Sequence, residues 1–551
     1  MDGSNGHPPA ETQRLLGTVT AADTEKGVTV HLQRGQSVEL LRQGQFVVID
    51  GRHMRFFGTI SGFRLGATDP ALSQDPPEGA GDLVRETLSR STTYAEATVR
   101  PALELTQGAG AAATEGLKPA RTIPGHFASV YTAGARDFQT VFGSEERGKH
   151  FPIGRPRDMD VPVCLDLERF VERSNGIFGR SGTGKSFLAR LLLCGLVKTQ
   201  ACANLVFDMH TEYAYSKEKE GGGFVKGLRE LFGGARVRVY SLDETATRRT
   251  RGQVDGLIRI PVDSIQVDDL MTLQSELELT ETAEFTAALL HNRFGNQWLA
   301  RLLALDPGEI KEFCEQTNAQ QNSLEALKRR VERLKELDFI VRDGRANLGT
   351  GIDELIAELQ GGHNVILEFG RYNSLLAYML VANIITKRIH RRWVEASEHY
   401  DDTQQAADKP RPLMVTIEEA HKFLSQRSTI FSTIAREMRK YSVTLLVIDQ
   451  RPSSIDPEVL SQLGTRITAL LSDERDIDAV FTGTRAAYMR QTLATLDSRQ
   501  EVLIFGHAVP MEVVLRTRDF DESLYRSVAP AAVLSRAERA AQAAADLFGE
   551  E

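Results

Sequence analysis

The chain of 551 residues has only four cysteines, and it contains no long hydrophobic run. The cysteines are too few and too scattered for a disulfide framework or a zinc site, so we expect buried thiols in a reducing compartment. The longest apolar stretches fall well short of the ~20 residues that cross a bilayer. The stretch 1–14 also lacks the apolar centre of a signal peptide. These absences predict a cytoplasmic protein with no membrane partner.

An excess of positive charge is missing as well. Lys and Arg number 66 against 75 Asp and Glu, which gives a net charge of −9 at pH 7. This balance excludes a general polycation. Any contact with nucleic acid must therefore come from a local basic surface, such as the lining of a channel.

The N-terminal part of the chain has the pattern of a small β-barrel. Val28, Val30 and Leu32 alternate with polar residues, which is the period-two pattern of a half-buried strand. Further β-rich runs, at 46–49, 56–63 and 94–99, are separated by stretches rich in Gly, Pro and Asp. We expect a disordered N-terminus over 1–13 and a β-barrel over 14–135.

From about residue 154, short apolar strands alternate with longer helical patterns, which predicts a parallel α/β sheet with crossover helices. A helical insertion interrupts this series, and its clearest helix places Leu324, Leu327 and Val331 on one apolar stripe. An Ala-rich helical pattern ends the chain. The predicted strands are 176–178, 204–208, 364–369, 413–417, 444–448 and 502–505. The predicted segments are 136–261 and 346–525 for the α/β core, 262–345 for the insertion and 526–551 for the tail.

A complete Walker A motif, G-x-x-x-x-G-K-S, stands at 179–186 between a predicted strand and a predicted helix. Its glycines allow backbone N–H groups to converge on phosphate oxygens, and the helix N-terminus adds a favourable dipole. Lys185 is expected to reach the β- and γ-phosphates of ATP, and the Ser186 hydroxyl is expected to bind Mg²⁺. The predicted nucleotide-binding residues are Gly179, Arg180, Ser181, Gly182, Thr183, Gly184, Lys185, Ser186 and Phe187.

The apolar run 413–417 ends in two acids and is typical of a Walker B strand. Such a strand is expected beside the Walker A strand, where it delivers carboxylates to the metal and to the attacking water. We assign Glu418 to the Mg²⁺ site and Glu419 to orienting or deprotonating the hydrolytic water. A solvated acidic pair at a strand end is the alternative.

The chain carries four further motifs: E-E-A-H at 418–421, I-A-R-E-M-R-K-Y at 434–441, Q-R-P-S at 450–453 and D-M-H-T-E-Y at 208–213. They resemble motifs of the HerA family within the HerA–FtsK ATPases, and the resemblance covers about residues 14–520. Four positions depart from the family pattern: Met438 and Thr211 replace Gly, Asp449 replaces Thr, and Arg173-Ser174 replaces an Arg-His pair. No departure removes a catalytic group, but Asp449 stands beside the expected γ-phosphate sensor.

The resemblance implies roles for further residues. Gln450 is the expected sensor of nucleotide state. Arg439 and Arg436 are candidates for an arginine finger that acts on the ATP of a neighbouring subunit, and Arg173 matches another family arginine near the nucleotide. The pattern alone also fits ordinary surface arginines. Asp208 and Glu212 are either carboxylates near the metal or the subunit interface, or caps of a loop.

The resemblance also implies a RecA-like P-loop core, a HAS-type N-terminal barrel and a helical insertion. The implied function is ATP-driven translocation on double-stranded DNA by a homo-hexamer. A NurA-type nuclease docked on the barrel is the expected partner in DNA end resection for recombinational repair. Two alternatives stay open: an ATPase of an anti-phage defence complex that activates a sirtuin-like or nuclease effector, and a nucleotide-gated scaffold.

DNA-contacting residues are less readable from the sequence. The densest basic run, 387–393, lies on a predicted helix, and the loop 422–427 after the Walker B acids is an equal candidate. Phosphate-directed Lys and Arg give a grip that does not depend on sequence, as a translocase needs. The basic run also fits a helix face that is solvated or paired with acids.

Overall fold

The computed structural model describes residues 13–34, 36–69, 81, 87–88, 91–106, 116–157, 159–218, 224–245, 254–341, 351–425, 430–484, 489–497 and 500–530. The predicted disordered N-terminus lies outside these residues up to position 12, and the predicted helical tail lies outside them from position 531. The chain forms two compact units, one within 1–166 and 485–518 and one within 167–484 and 519–551. None of the described helices is long and apolar enough to cross a membrane.

A closed six-stranded antiparallel barrel forms most of the first unit, as the sequence predicts. The strand order is β2-β1-β6-β3-β4-β5, and β5 pairs with β2 to close the barrel. Val28, Val30 and Leu32 are buried while the residues between them are only half-buried, so the predicted alternation is confirmed. The strands are β1 Leu15–Asp23, β2 Gly27–Leu32, β3 Phe46–Asp50, β4 Met54–Ala67, β5 Thr93–Thr106 and β6 Ser129–Thr132.

The barrel is followed in the same unit by a helix and an antiparallel hairpin. Helix α1 spans Ala135–Phe142, and strands β7 (His150–Arg155) and β8 (Val163–Asp166) pair with each other. Buried aromatic side chains of α1 pack against Phe46 of the barrel, with ring centroids 4.8 Å apart for Phe138. This packing ties the hairpin segment to the barrel.

A parallel sheet forms the centre of the second unit, with the order β11-β12-β10-β13-β14-β9-β15. Its central strands are buried along their whole length, which is why they read as continuous apolar runs rather than as alternating ones. The strands are β9 Asn175–Phe178, β10 Ala203–Asp208, β11 Val237–Ser241, β12 Asn364–Glu368, β13 Leu413–Glu418, β14 Val443–Asp449 and β15 Thr465–Ala469.

One sequence-based expectation about this sheet is wrong, and another is met only in part. The Walker B strand β13 does not lie beside the Walker A strand β9, because β14 pairs with both of them and separates them. The sixth predicted strand is confirmed as β16 (Glu501–Gly506), but its pairing with β17 (Val513–Thr517) is antiparallel rather than parallel. Strand order depends on long-range pairing, which an apolar run by itself does not encode.

The predicted helical insertion is confirmed. Its two ends meet in a short parallel pairing of Ile260–Pro261 with Ile340–Val341. The predicted apolar stripe is buried, with Leu324, Leu327 and Val331 at most 2% exposed. The insertion helices are α5 Val267–Met271, α6 Ala283–Phe294, α7 Trp298–Ala304, α8 Pro307–Thr317 and α9 Gln321–Val331.

The remaining helices of this second unit cover and connect the strands of the parallel sheet. The longest of them, α11, has 29 residues and is about 44 Å long at 1.5 Å per residue. The helices are α2 Leu167–Val171, α3 Lys185–Thr199, α4 Leu228–Phe232, α10 Ile352–Gln360, α11 Leu375–Thr403, α12 His421–Leu424, α13 Ile430–Glu437, α14 Pro457–Gln462, α15 Glu474–Val480 and α17 Glu522–Val528. Helix α16, Arg490–Ala494, belongs to the first unit.

Candidate functional site at the carboxyl edge of the parallel sheet

The predicted phosphate cradle is a tight turn between β9 and α3. Gly182 and Gly184 have φ of +79° and +82°, a conformation that side chains with a Cβ rarely adopt. A Cβ on Gly179 would come within 2.7 Å of Thr183 Oγ1. Thr183 Oγ1 in turn donates to the carbonyl oxygen of Arg180 at 2.8 Å. The motif glycines are therefore needed for the backbone path that precedes the helix N-terminus at Lys185.

Lys185 lies where the carboxyl ends of several strands meet. Its Nζ donates to the carbonyl oxygen of Arg180 at 3.0 Å. Burial lowers the pKa of Lys185, and the charges of Glu419, Asp449 and Glu418 oppose this effect. The ammonium group is thus close enough to the Walker B carboxylates to interact with them, as one composite site requires.

Glu418, the predicted metal-site acid, is buried at the end of β13. The Tyr213 hydroxyl donates to Glu418 Oε1 at 2.6 Å. The Tyr378 hydroxyl accepts from the Glu418 backbone N–H at 3.1 Å. Burial raises the pKa of Glu418 to about 7, and the nearby carboxylates of Asp208 and Glu212 act in the same direction. A bound cation at this position would favour the ionised carboxylate.

The predicted water-orienting acid and the predicted sensor lie next to each other. Glu419 follows the strand with a φ of +49°, and its side chain is 39% exposed. Gln450, at the end of β14, donates from Nε2 to Glu419 Oε1 at 3.4 Å. The position of β14 between β9 and β13 explains this proximity, because parallel neighbours end at the same edge of the sheet. Lys185, Glu419 and Gln450 are therefore brought together.

In the loop after β10, Asp208 has a structural role, whereas Glu212 interacts with the phosphate cradle. Asp208 is buried and accepts from the backbone N–H groups of Glu212 and Tyr213 at 2.8 and 2.9 Å, so it caps the loop. Burial opposes ionisation of Glu212, but hydrogen bonds from Lys217 and from Ser186 of the cradle hold its pKa below the usual value. Thr211 has a φ of +53°, which a glycine would adopt with less strain.

The site includes three residues without a predicted role: Tyr213, which stands in one of the motifs, Tyr378 and Glu368. The hydroxyl groups of both tyrosines form hydrogen bonds with Glu418. Glu368 ends β12 directly opposite Asp208 on β10 and is 1% exposed. Burial, together with the charge of Asp208, raises its pKa to about 8. Glu368 was recognisable in principle, because 364–368 is an apolar strand that ends in an acid, as the Walker B strand is.

Replacing Glu368 by Gln should make stability less dependent on pH. Between the usual pKa of 4.5 and about 8, the folded protein holds a proton on Glu368 that the unfolded chain releases, so stability falls as the pH rises through this window. The Tm of Glu368→Gln relative to wild type should therefore increase from pH 5 to pH 8 and then stay constant. Thermal unfolding of both proteins across this range checks the slope. The exposed Glu354→Gln is the control, and an equal Tm difference at every pH for Glu368→Gln would contradict the assignment.

The candidate arginines lie away from the phosphate cradle of their own chain. Arg439 is in the turn 438–441 that precedes β14, and Arg173 precedes β9, so both are at the amino edge of the sheet. A strand of seven residues rises roughly 20 Å, which separates Arg439 from the carboxyl edge. The Arg439 side chain is exposed and has no hydrogen bond or ion pair to another described residue.

Arg436 and Arg439 do not share one α-helix. Helix α13 ends at Glu437, and Met438, which is fully buried, begins a tighter 3₁₀ turn. Arg436 is half-buried, donates to the Ser432 carbonyl oxygen at 3.2 Å and lies 3.7 Å from the Glu458 carboxylate. Arg439 is thus the more available of the two for a contact outside its own chain.

The basic run on α11 is partly paired with acids. Lys387 binds the buried Asp269 of the insertion at 2.7 Å, and Arg392 lies 3.9 Å from Asp353. Trp393 is buried and donates to the Arg411 carbonyl oxygen at 2.9 Å. These contacts favour the acid-paired interpretation of this helix face. The other candidate, the loop 422–427, lies outside the described residues from position 426.

The arrangement suits a metal that arrives with the nucleotide. Within the described part of the chain, no three His, Cys, Asp or Glu side chains are grouped so as to hold a metal ion. Mg²⁺ keeps several waters and is commonly held by one or two protein groups together with substrate phosphates. Ser186, in the cradle, and Glu418, at the end of β13, have the oxygen donors that such a site uses.

The chain is similar to known helicases. A family model described as "Helicase HerA, central domain" matches residues 151–389. The DNA double-strand break repair helicase HerA of Pyrococcus furiosus is 23% identical over 423 residues, 71% of this chain and 73% of that protein. The helicase of the same name from Sulfurisphaera tokodaii is 23% identical over 382 residues, 68% and 70% of the two chains.

Two solved structures are also similar to this chain. The bacterial conjugative coupling protein TrwB has 11% identity and a TM-score of 0.45, with 69% of this chain and 92% of that chain covered. VirB4 of Thermoanaerobacter pseudethanolicus has 14% identity and a TM-score of 0.35, with 68% and 98% covered. Because both scores are below 0.5, the fold assignment rests on the strand order and the P-loop described above.

Proposed function

Because the chain belongs to the HerA family of P-loop ATPases, we propose that it is an ATP-driven motor that translocates double-stranded DNA. The observation that supports the proposal best is the convergence of Lys185, Glu419 and Gln450 at one edge of the sheet, beside the buried Glu418. A cradle, a buried acid, a water-orienting acid and a polar sensor are the parts that a P-loop hydrolase needs.

In this proposal each residue has a separate task. The backbone N–H groups of the cradle and Lys185 bind the phosphates of ATP, and Ser186 and Glu418 hold the site of Mg²⁺. When bound, Mg²⁺ would neutralise the negative charge that develops on the phosphate oxygens. Glu419 orients the attacking water, and Gln450, in contact with Glu419, links the state of the nucleotide to the position of that acid.

The chain is proposed to assemble into a ring-shaped homo-hexamer, in which Arg439 of one subunit acts on the ATP of its neighbour. The roughly 20 Å between the two edges of the sheet prevents Arg439 from reaching the cradle of its own chain. Its exposure leaves it available to a second copy of the chain. Charge on the γ-phosphoryl group develops only in the transition state, so an arginine there accelerates hydrolysis rather than tightening binding.

The biological role that we propose is DNA end processing in recombinational repair, with a NurA-type nuclease docked on the N-terminal barrel. The relatives described above are named as DNA double-strand break repair helicases, which supports a repair role. The barrel is a closed unit with its own core, suited to carrying a partner. Pull-down of a co-expressed nuclease by wild type and by a barrel-deleted chain would test this docking site.

Double-stranded DNA of unrelated sequences should stimulate ATP hydrolysis, and DNA binding should weaken steeply with salt. A channel that contacts about 6–10 phosphates releases counterions and loses roughly 10³–10⁵ in affinity between 50 and 200 mM salt. The measurements are steady-state ATPase rates with and without DNA, and a salt titration of binding. Lys185→Ala, which should bind DNA without DNA-stimulated turnover, is the control. ATPase activity indifferent to DNA, with and without the nuclease, would instead favour a nucleotide-gated scaffold.

A further inference from the structure

Asp449 is a buried carboxylate at the end of β14, next to the sensor Gln450. Its side chain is fully buried, and it accepts hydrogen bonds from the backbone of two different segments of the chain. The backbone N–H of His421 donates to Asp449 Oδ2 at 2.6 Å, and the backbone N–H of Arg451 donates to Oδ1 at 2.7 Å. The carboxylate therefore joins the end of the sensor strand to the turn that follows the Walker B acids.

The same carboxylate also binds the His421 ring. His421 Nδ1 lies 2.9 Å from Asp449 Oδ2 and 3.1 Å from Oδ1, and the His421 side chain is only 14% exposed. An ionised carboxylate can only accept, so Nδ1 must carry a proton and donate it. A ring nitrogen held in this way fixes both the tautomer and the orientation of the imidazole.

The oriented ring lies against Glu419. His421 Nδ1 is 3.8 Å from Glu419 Oε2, while Gln450 Nε2 is 3.4 Å from Glu419 Oε1. The two carboxylate oxygens of Glu419 thus face different neighbours. One is His421, which Asp449 binds, and the other is Gln450, which follows Asp449 in the chain. This arrangement matters because the Glu419 side chain is 39% exposed, so burial alone does not fix the orientation of its carboxylate.

We propose that Asp449 and His421 form a carboxylate–imidazole pair that positions the Glu419 carboxylate for its action on the attacking water. The pair does not touch the reacting atoms; it acts through Glu419. The inference rests on the proposed role of Glu419 as the water-orienting acid. It assigns a positioning function to a position where the sequence comparison showed only a departure from the family pattern.

Asp449→Asn and His421→Gln should each lower kcat roughly 10- to 100-fold while leaving the affinity for ATP within about threefold, because misplacing a catalytic group affects the transition state more than binding. The double variant should be no slower than the slower single one, since both changes break the same contact. Single-turnover hydrolysis and equilibrium binding of a fluorescent ATP analogue measure the two quantities. A role confined to folding would lower the affinity and the Tm together with kcat, and that result would overturn the proposal.

Asp476→Asn is the matched control. Asp476, on α15, is another buried aspartate, and it accepts from the Ser453 backbone N–H and hydroxyl at 3.0 and 2.6 Å. Its kcat should stay within about twofold of wild type. If Asp449→Asn fails to fold, the less buried His421→Gln carries the test. Should Glu419→Gln itself retain turnover, the proposed function of Glu419 fails. If Glu419→Gln is inactive while Asp449→Asn and His421→Gln turn over normally, only the pair is refuted.

Discussion

Glu419→Gln should bind ATP about as tightly as wild type and hydrolyse it roughly 10²–10⁴ times more slowly, which is the usual contribution of a positioned acid–base group. Glu419 lies after the strand end and beside Gln450, outside the cradle that holds the phosphates. The amide keeps the shape of the side chain but cannot accept a proton. Binding of a fluorescent ATP analogue and the release of phosphate, measured on the same preparation, separate the two effects.

Lys185→Ala should instead lose most nucleotide binding, because the Lys185 ammonium group is part of the cradle.

The exposed Glu395→Gln on α11 is the control for Glu419→Gln, because it also removes a carboxylate, and it should match wild type in both measurements. Turnover of Glu419→Gln comparable to wild type would move the base elsewhere. The next candidate is then Glu418, whose pKa near 7 would suit a group that accepts a proton at neutral pH.

The parts of the fold that the sequence predicted are those with local signals. The period-two pattern of Val28 to Leu32 and the glycines of the cradle determine their own backbone conformation. Strands β11 and β15 were missed because polar side chains interrupt their apolar runs. In β15, Arg466 is 1% exposed and donates to the carbonyl oxygens of Leu460 and Val480, contacts that no local pattern encodes.

The candidate site divides in the same way. Motifs identified Lys185, Glu418 and Glu419, and the resemblance to the family identified Gln450. Tyr213 stood in a motif without a predicted role, and Tyr378 was not found, since they lie 205 and 40 residues from Glu418 in the chain. Their contacts with Glu418 exist only because β10, β12 and β13 are neighbours in the sheet. The residue roles in catalysis and the DNA channel stay predictions.

Arg439→Ala should assemble and bind ATP normally but hydrolyse it much more slowly. Arginine fingers contribute ~10³–10⁵ in rate in the GTPases that calibrate the effect. Arg439 is at the amino edge of the sheet and the cradle is at the carboxyl edge, so the loss must arise at a site shared by two subunits. An isolated protomer should for the same reason be nearly inactive. Arg436→Ala, which removes a side chain already bonded within its own chain, should have the smaller effect.

Mixing two inactive variants gives the decisive test of this shared site. When Arg439→Ala subunits exchange with Glu419→Gln subunits, about a quarter of the interfaces in an evenly mixed ring combine an intact Glu419 with an intact Arg439, and turnover should reappear. Glu419→Gln mixed with Lys185→Ala is the control, because both residues belong to the same half of the site and no interface is repaired. Recovery in the first mixture alone establishes that Arg439 acts in trans. If rings that demonstrably exchange subunits recover no activity with either Arg439→Ala or Arg436→Ala, the assignment fails and Arg173, at the same edge of the sheet, is the next residue to exchange.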